Sequence, residues 1–174
     1  MIKKAQLLTL LLTITGLSLF CSCNNADDVQ QIFTGKTWRL TYITKANGHA
    51  WYKFPDVTTA NYESYDPIKG TRAFYIDFSG STSNDVINGT FAGTGSVNIN
   101  GKWEADGKSN RLLMNVGGAS VVDPTNDHLG NRIVEGLRKV TSYGGNAQNL
   151  YLYYKLDETN ETLCLVFAPA KKIQ

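Results

Sequence analysis

Apolar residues in this chain recur mostly at every second position, the spacing that turns one face of a strand toward a core and the other toward water. Trp38, Leu40 and Tyr42 share one face, with Arg39 and Thr41 on the other. Phe74, Ile76 and Phe78 repeat the pattern around Tyr75 and Asp77, and the longest run sets Val97, Ile99, Gly101, Trp103 and Ala105 against Asn98, Asn100, Lys102 and Glu104. Leu112, Met114 and Val116 follow across ADGKSN, whose Asp106-Gly107 pair suits a hairpin, so these two strands are predicted to be antiparallel neighbours. Leu150, Leu152, Tyr154 and Leu156 make another strand. Leu163, Leu165 and Phe167 make the last, and Cys164 with Val166 renders it apolar on both faces, which demands cover on both sides.

One segment departs from this spacing. Leu129, Ile133, Leu137 and Val140 recur at helical intervals and predict an amphipathic helix over 127–141, capped by Asp127, with Arg138 and Lys139 complementing the carboxyl end of its dipole and Gly144-Gly145 ending it. Its narrow apolar stripe suits a helix lying on a sheet or plugging one barrel end. The sum is a mainly β (α+β) domain, an antiparallel barrel-like sheet of about seven to nine strands with that one helix packed on it.

Composition fixes the class. A chain of 174 residues, 42% hydrophobic and 18% charged, is too apolar for a disordered tail, and three cysteines are too few for a disulfide-stapled scaffold. The first residues, MIKKAQLLTLLLTITGLSLFCSC, carry two lysines, an apolar stretch from Leu7 to Phe20 and then small residues. That is the order of an export signal, and the stretch is shorter than the ~20 residues of a spanning helix. It resembles a bacterial lipoprotein signal, with Cys23 as the lipidated residue because Ser22 supplies the small residue before it. Asp27-Asp28 resembles the acidic cluster of surface-exported Bacteroidetes lipoproteins. The expected organisation is a signal peptide over 1–22, a lipidated Cys23 with a polar tether over 23–32, one domain over 33–169 and a tail over 170–174. The expected location is the bacterial cell envelope, lipid-anchored at the outer membrane, with surface exposure open.

Removing the leader takes Lys3 and Lys4 with it and leaves 15 basic against 15 acidic residues. A neutral product without basic runs argues against nucleic acid as a partner. Membrane attachment then rests on acyl chains at Cys23, each buried CH₂ contributing about 0.8 kcal/mol.

No constellation for catalysis stands out. His49 and His128 are isolated in sequence, so no metal is expected. The stretch from Asp123 imitates a calcium loop at Asp123, Thr125 and Asp127 but has His128 where glycine belongs and Val134 where glutamate belongs. GTGSVN at 93–98 reads as a bend in a sheet, Cys164 as an inert buried thiol, and Glu63 with Asp66 as solvated carboxylates. No cofactor is expected. The long connection 44–70 is richer: it holds Trp51, Tyr52, Phe54, Tyr62 and Tyr65. These rings either fold over the barrel mouth as a satellite cluster or form a recognition surface for a ligand or partner.

In order, FTGKTWRLTYI at 33–43, FYIDFSG at 74–80, a glycine-rich middle hairpin, NRIVEGLRKVTSY and NLYLYYKLDETNETLCLVF resemble the META domain of small bacterial lipoproteins, in the style of the heat-shock protein HslJ. The regions where META proteins carry cysteines read NGTFAGTGSVNI and GGASVVDPTND here, so the likeness is to a divergent, cysteine-free relative of the kind found in Bacteroidales. The resemblance implies fold and location, no enzymatic activity and no transferable site residue. The expectation is a non-catalytic binding or envelope-maintenance module, with an envelope protein or glycan as partner; a lipocalin-like carrier of a small apolar ligand inside the barrel is the alternative.

Overall fold

The computed structural model describes residues 26–83 and 86–171. The leader and Cys23 lie outside these. Eight strands form a closed antiparallel ring in chain order: β1 (Thr37–Lys45), β2 (Phe74–Ser83), β3 (Val86–Gly95), β4 (Val97–Asp106), β5 (Arg111–Val121), β6 (Val140–Gly145), β7 (Leu150–Lys155) and β8 (Thr162–Pro169). Three helices accompany them: α1 (Ala26–Phe33), α2 (Thr59–Ser64) and α3 (His128–Lys139). The expected mainly β barrel-like sheet is what forms.

The alternating pattern fills the interior. Trp38, Phe74, Ile76, Ile87, Leu112, Leu152, Tyr154 and Phe167 are fully buried wall residues. Two glycines make room for rings: a Cβ on Gly93 would come within 2.7 Å of the Phe74 ring, and one on Gly101 within 2.8 Å of the Phe91 ring. The glycine-rich middle strands are therefore a packing requirement. Gly95, at φ +105°, makes the tight β3–β4 turn expected of the 93–98 stretch. β8 is buried on both faces from Leu163 to Val166, as its composition predicts.

Three expectations need correction. The first concerns the tether: residues 26–33 form α1, and Val29, Ile32 and Phe33 are buried, so the packed domain begins ahead of residue 33. The i, i+3, i+4 spacing of these residues gives a helix one apolar face, which polar neighbours mask in a linear reading. In the second, the β1–β8 register shifts between Leu40 and Tyr42, so Ile43 takes the inward position and Tyr42 turns out. A bulge of this kind resets alternation. The third is α3, which stops at Lys139: Val140–Gly145 is a strand, with Gly145 at φ +134° serving its turn to β7. Val140 and Tyr143 are buried, and β-forming Val, Thr and Tyr favour the extended state there.

Both barrel ends are closed. At the end carrying the β4–β5 and β6–β7 turns, α1 inserts Phe33 between Trp103, stacked at 4.7 Å between centroids, and the edges of Phe78 and Tyr143 at 5.0 Å each. The Trp38 Nε1–H donates to the Phe33 carbonyl at 3.2 Å. At the other end sit the 46–73 connection and the start of α3, whose Leu129, Ile133 and Leu137 are fully buried. The ring is thinnest beside α3: β5 pairs with β6 only at Arg111 and Ser142, while β1 pairs with β2 over three residues.

Candidate functional site

The aromatic connection splits into a buried part and a rim. Phe54, Tyr62 and Tyr65 are buried, and Trp51 and Tyr52 are half-buried against the core. Trp51 lies 5.5 Å from the Tyr62 ring and 6.4 Å from those of Tyr42 and Tyr65. The hydroxyl of Tyr62 donates to the Tyr52 carbonyl at 2.9 Å and accepts the Phe54 N–H at 2.8 Å, folding the segment upon itself. Three of the five rings thus serve as a cap on the core.

Beneath the cap lies a polar knot. The Tyr65 hydroxyl bridges the Ser96 hydroxyl at 2.6 Å and Asp127 Oδ2 at 2.9 Å. Asp127 is wholly buried; its Oδ1 accepts the Gly130 N–H at 2.9 Å, the predicted helix cap, and Arg72 stands 3.7 Å away. Burial, first of all, pushes the Tyr65 hydroxyl well above the ordinary tyrosine range. Asp123, the other acid of the calcium-like stretch, holds Arg72 at 2.6 Å. These acids anchor the loop to α3. Among the described residues no group of three His, Cys, Asp or Glu side chains could hold a metal ion.

A second clasp joins the connection to α3 on the outside. Arg132 donates to Asp56 at 2.8 Å and to Glu135 at 2.7 Å, and stacks over the Phe54 ring at 5.0 Å. Lys139 donates to Glu135 and to Asp157 at 2.8 Å each. Burial raises Asp56 and Glu135, but the bonds and charges of Arg132 and Lys139 outweigh it, and both carboxyls titrate below their usual range. Tyr52 and Lys45 converge on Glu161 in the same way at the β7–β8 turn. Cys164 is buried and its thiol is pushed up to about 12 by burial, consistent with an inert role.

The open concavity lies elsewhere. A groove of about 990 Å³ runs along the outer face of the β1–β2 seam, with Thr37, Arg39, Tyr75 and Asp77 on its floor, the Pro67-Ile68 turn on one side and Lys171 on another. Asp66 shapes that turn by accepting the N–H groups of Ile68 and Lys69 at 2.8 Å each, bonds that hold its carboxyl below the usual range. Arg39 donates to the Pro67 carbonyl at 3.1 Å, and Ile68 is 90% exposed. Thr37 donates to Asp77 at 2.6 Å. An isoleucine is thus held out in water at the lip of a groove with a basic and aromatic floor, and the sequence signal for it is the lone apolar residue between Pro67 and Lys69.

These features define a small closed β-barrel with plugged ends, a side-chain-filled interior and its accessible chemistry on the outer wall. The chain belongs to the DUF4847 family, a domain of unknown function, whose family model matches residues 24–169. That match includes α1 and begins one residue after Cys23. It is this family, and not META, that the comparison identifies. A crystal structure of a DUF4847 family protein from Bacteroides vulgatus ATCC 8482 is similar in fold, with a TM-score of 0.52 and 24% identity over 83% of this chain and 99% of the other. No curated protein matches the chain.

Proposed function

We propose that this protein is a lipid-anchored module of the bacterial envelope that works by binding, with the groove at the β1–β2 seam as its contact surface. The observation that carries the reading is Ile68, 90% exposed and fixed above Arg39 and Tyr75 at the lip of a groove of about 990 Å³. An aromatic and a guanidinium beside an apolar residue are the groups that dominate contact energies, and both suit an envelope protein or a glycan as the bound species. Anchoring rests on Cys23 in its lipoprotein-like context, and a two-residue spacer, Asn24-Asn25, separates it from α1. Three residues of chain reach at most about 10 Å, so the α1 end of the barrel would stand close to the bilayer.

The reading assigns no catalytic step: buried Asp127 caps α3 beside Arg72, and the more exposed Asp123 and Asp56 pair with Arg72 and Arg132. The carrier alternative would need interior volume, where Phe33, Trp38, Phe74, Trp103 and Phe167 now sit. The test pairs two measurements in native envelopes. Palmitate labelling should disappear in Cys23→Ser, and amine-reactive crosslinking to a partner should disappear in Arg39→Ala/Ile68→Ser with the melting temperature held. Labelling that survives Cys23→Ser sinks the anchor, and crosslinks unaffected by the groove variant sink the surface.

A further inference from the structure

Gly93, Gly101, Gly117 and Gly118 lie within β3, β4 and β5 for two different reasons. A Cβ on Gly93 or Gly101 would strike the ring of Phe74 or Phe91, so the core excludes one there. Gly117 and Gly118 are otherwise placed. Neither has a positive φ, and a Cβ on either meets only Asn100, no nearer than 3.8 Å at Gly117 and 3.1 Å from the amide oxygen at Gly118. Gly117 is also the extra residue of the bulge opposite Asn100 and Gly101, a position that most residues can occupy. Neither backbone nor core demands glycine at 117 and 118, although glycine weakens a strand. Such a glycine marks a place where something else approaches the backbone closely.

What the two missing side chains uncover is a shallow trough on the outer wall. Two depressions of about 430 and 490 Å³ meet at Asn100, the first lined by Asn98, Gly118 and Ser120, the second by Thr90, Lys102, Asn115 and Gly117. Every one of these residues is exposed. Among the described residues, the side chains of Thr90, Asn98, Asn100, Asn115 and Ser120 bond to no other protein group, and Lys102 brings the one charge among the residues named. A side chain at 118 would press on the Asn100 amide, which glycine leaves open. Across the sheet Asn98 faces Ser120, Asn100 faces Gly118 and Lys102 faces Asn115. Polar groups therefore stand about 6.8 Å apart along each strand and about 4.8 Å apart between strands, a grid on the scale of a sugar ring.

We infer that this trough is a glycan-binding surface that takes a neutral, hydroxyl-rich sugar chain across Asn100. An amide both donates and accepts, as a sugar hydroxyl does, so exchanging water for the ligand keeps both groups satisfied. The glycine pair lets the sugar ring come down to the strand backbone. A protein partner fits less well, because contact energy between proteins comes from aromatic and arginine anchors and the trough presents none. A nucleic acid would need several cations where only Lys102 stands. The trough lies on a different wall from the β1–β2 groove, shares no lining residue with it and needs no lipid anchor to bind.

The test titrates the full chain, held in a detergent that carries no sugar, with maltohexaose, cellohexaose, laminarihexaose and xylohexaose by calorimetry. At least one should bind with a Kd of roughly 10 μM to 1 mM. Gly118→Thr should weaken that binding by roughly tenfold or more, with the melting temperature held or raised, because threonine favours a strand. Asn100→Ala should weaken it to a similar extent; its side chain is exposed and bonds nothing, so this variant reads the surface even if Gly118→Thr fails to fold. Arg39→Ala, in the β1–β2 groove, should leave the affinity within about twofold. A chain that binds none of these sugars overturns the inference. So does a sugar that either folded trough variant still binds at wild-type strength, or one lost on Arg39→Ala, which would place it in the β1–β2 groove.

Discussion

Phe33→Ala is the sharpest probe of how the barrel is closed. Phe33 is fully buried, stacks on Trp103 at 4.7 Å and touches the edges of Phe78 and Tyr143. Truncating a buried phenylalanine costs about 3–5 kcal/mol when its surroundings cannot collapse, and here the cavity would be walled by three aromatic residues held on strands β2, β4 and β6. For a domain of this length that corresponds to a fall in melting temperature of roughly 8–15 °C. Urea denaturation of the chain from Asn24 onward, followed by tryptophan fluorescence, reads the change through Trp103 itself. Gln31→Ala, at an exposed position of the same helix, is the control and should stay within about 0.5 kcal/mol. A loss under about 1 kcal/mol for Phe33→Ala would mean that α1 only rests on the barrel, and the plug would have to be abandoned.

Other outcomes follow from single groups. The Tyr154 hydroxyl is buried without a hydrogen-bond partner among the described residues, so Tyr154→Phe should leave stability unchanged or raise it by up to about 1 kcal/mol in thermal denaturation; a loss above that would reveal a missing partner. Cys164, with its thiol pushed up to about 12, should react with a maleimide only as fast as the domain opens, and rapid labelling of the native state would contradict its burial. Acid should loosen the clasp between the 46–73 connection and α3. Asp56 and Glu135 titrate below their ordinary values of 3.8 and 4.5, so the folded state holds fewer protons than the unfolded one in this range. Their contribution is full above those values and is lost as pH falls through the lower folded ones. Arg132→Gln should flatten that part of the stability curve, and an unchanged acid limb would show that the pairs contribute nothing.

Strands that alternate cleanly were legible from sequence because a half-buried strand has no other way to be amphipathic. Phe74, Ile76 and Phe78, the Val97–Ala105 run and the doubly apolar β8 all lie as their patterns predict. The Asp127 cap was legible for a similar reason, since its side chain meets its own helix three residues on. What escaped depended on contacts distant in sequence. The shift between Leu40 and Tyr42 is set by pairing with β8, more than a hundred residues away. Helix α1 is held by Trp103 and Tyr143, which a reading of residues 23–32 alone does not see. The candidate surface moved for the same reason: aromatic density marked the connection as special, but Tyr62, Tyr65 and Phe54 turn inward to cap the barrel, and the exposed lip falls to Ile68.

A photoreactive side chain placed at position 68, and separately at position 51, in the full-length protein in native envelopes tests the binding account most directly. The account predicts a discrete covalent adduct from position 68 that is lost on adding Arg39→Ala, with little from position 51. An adduct from position 51 with none from position 68, or none from either, would contradict it.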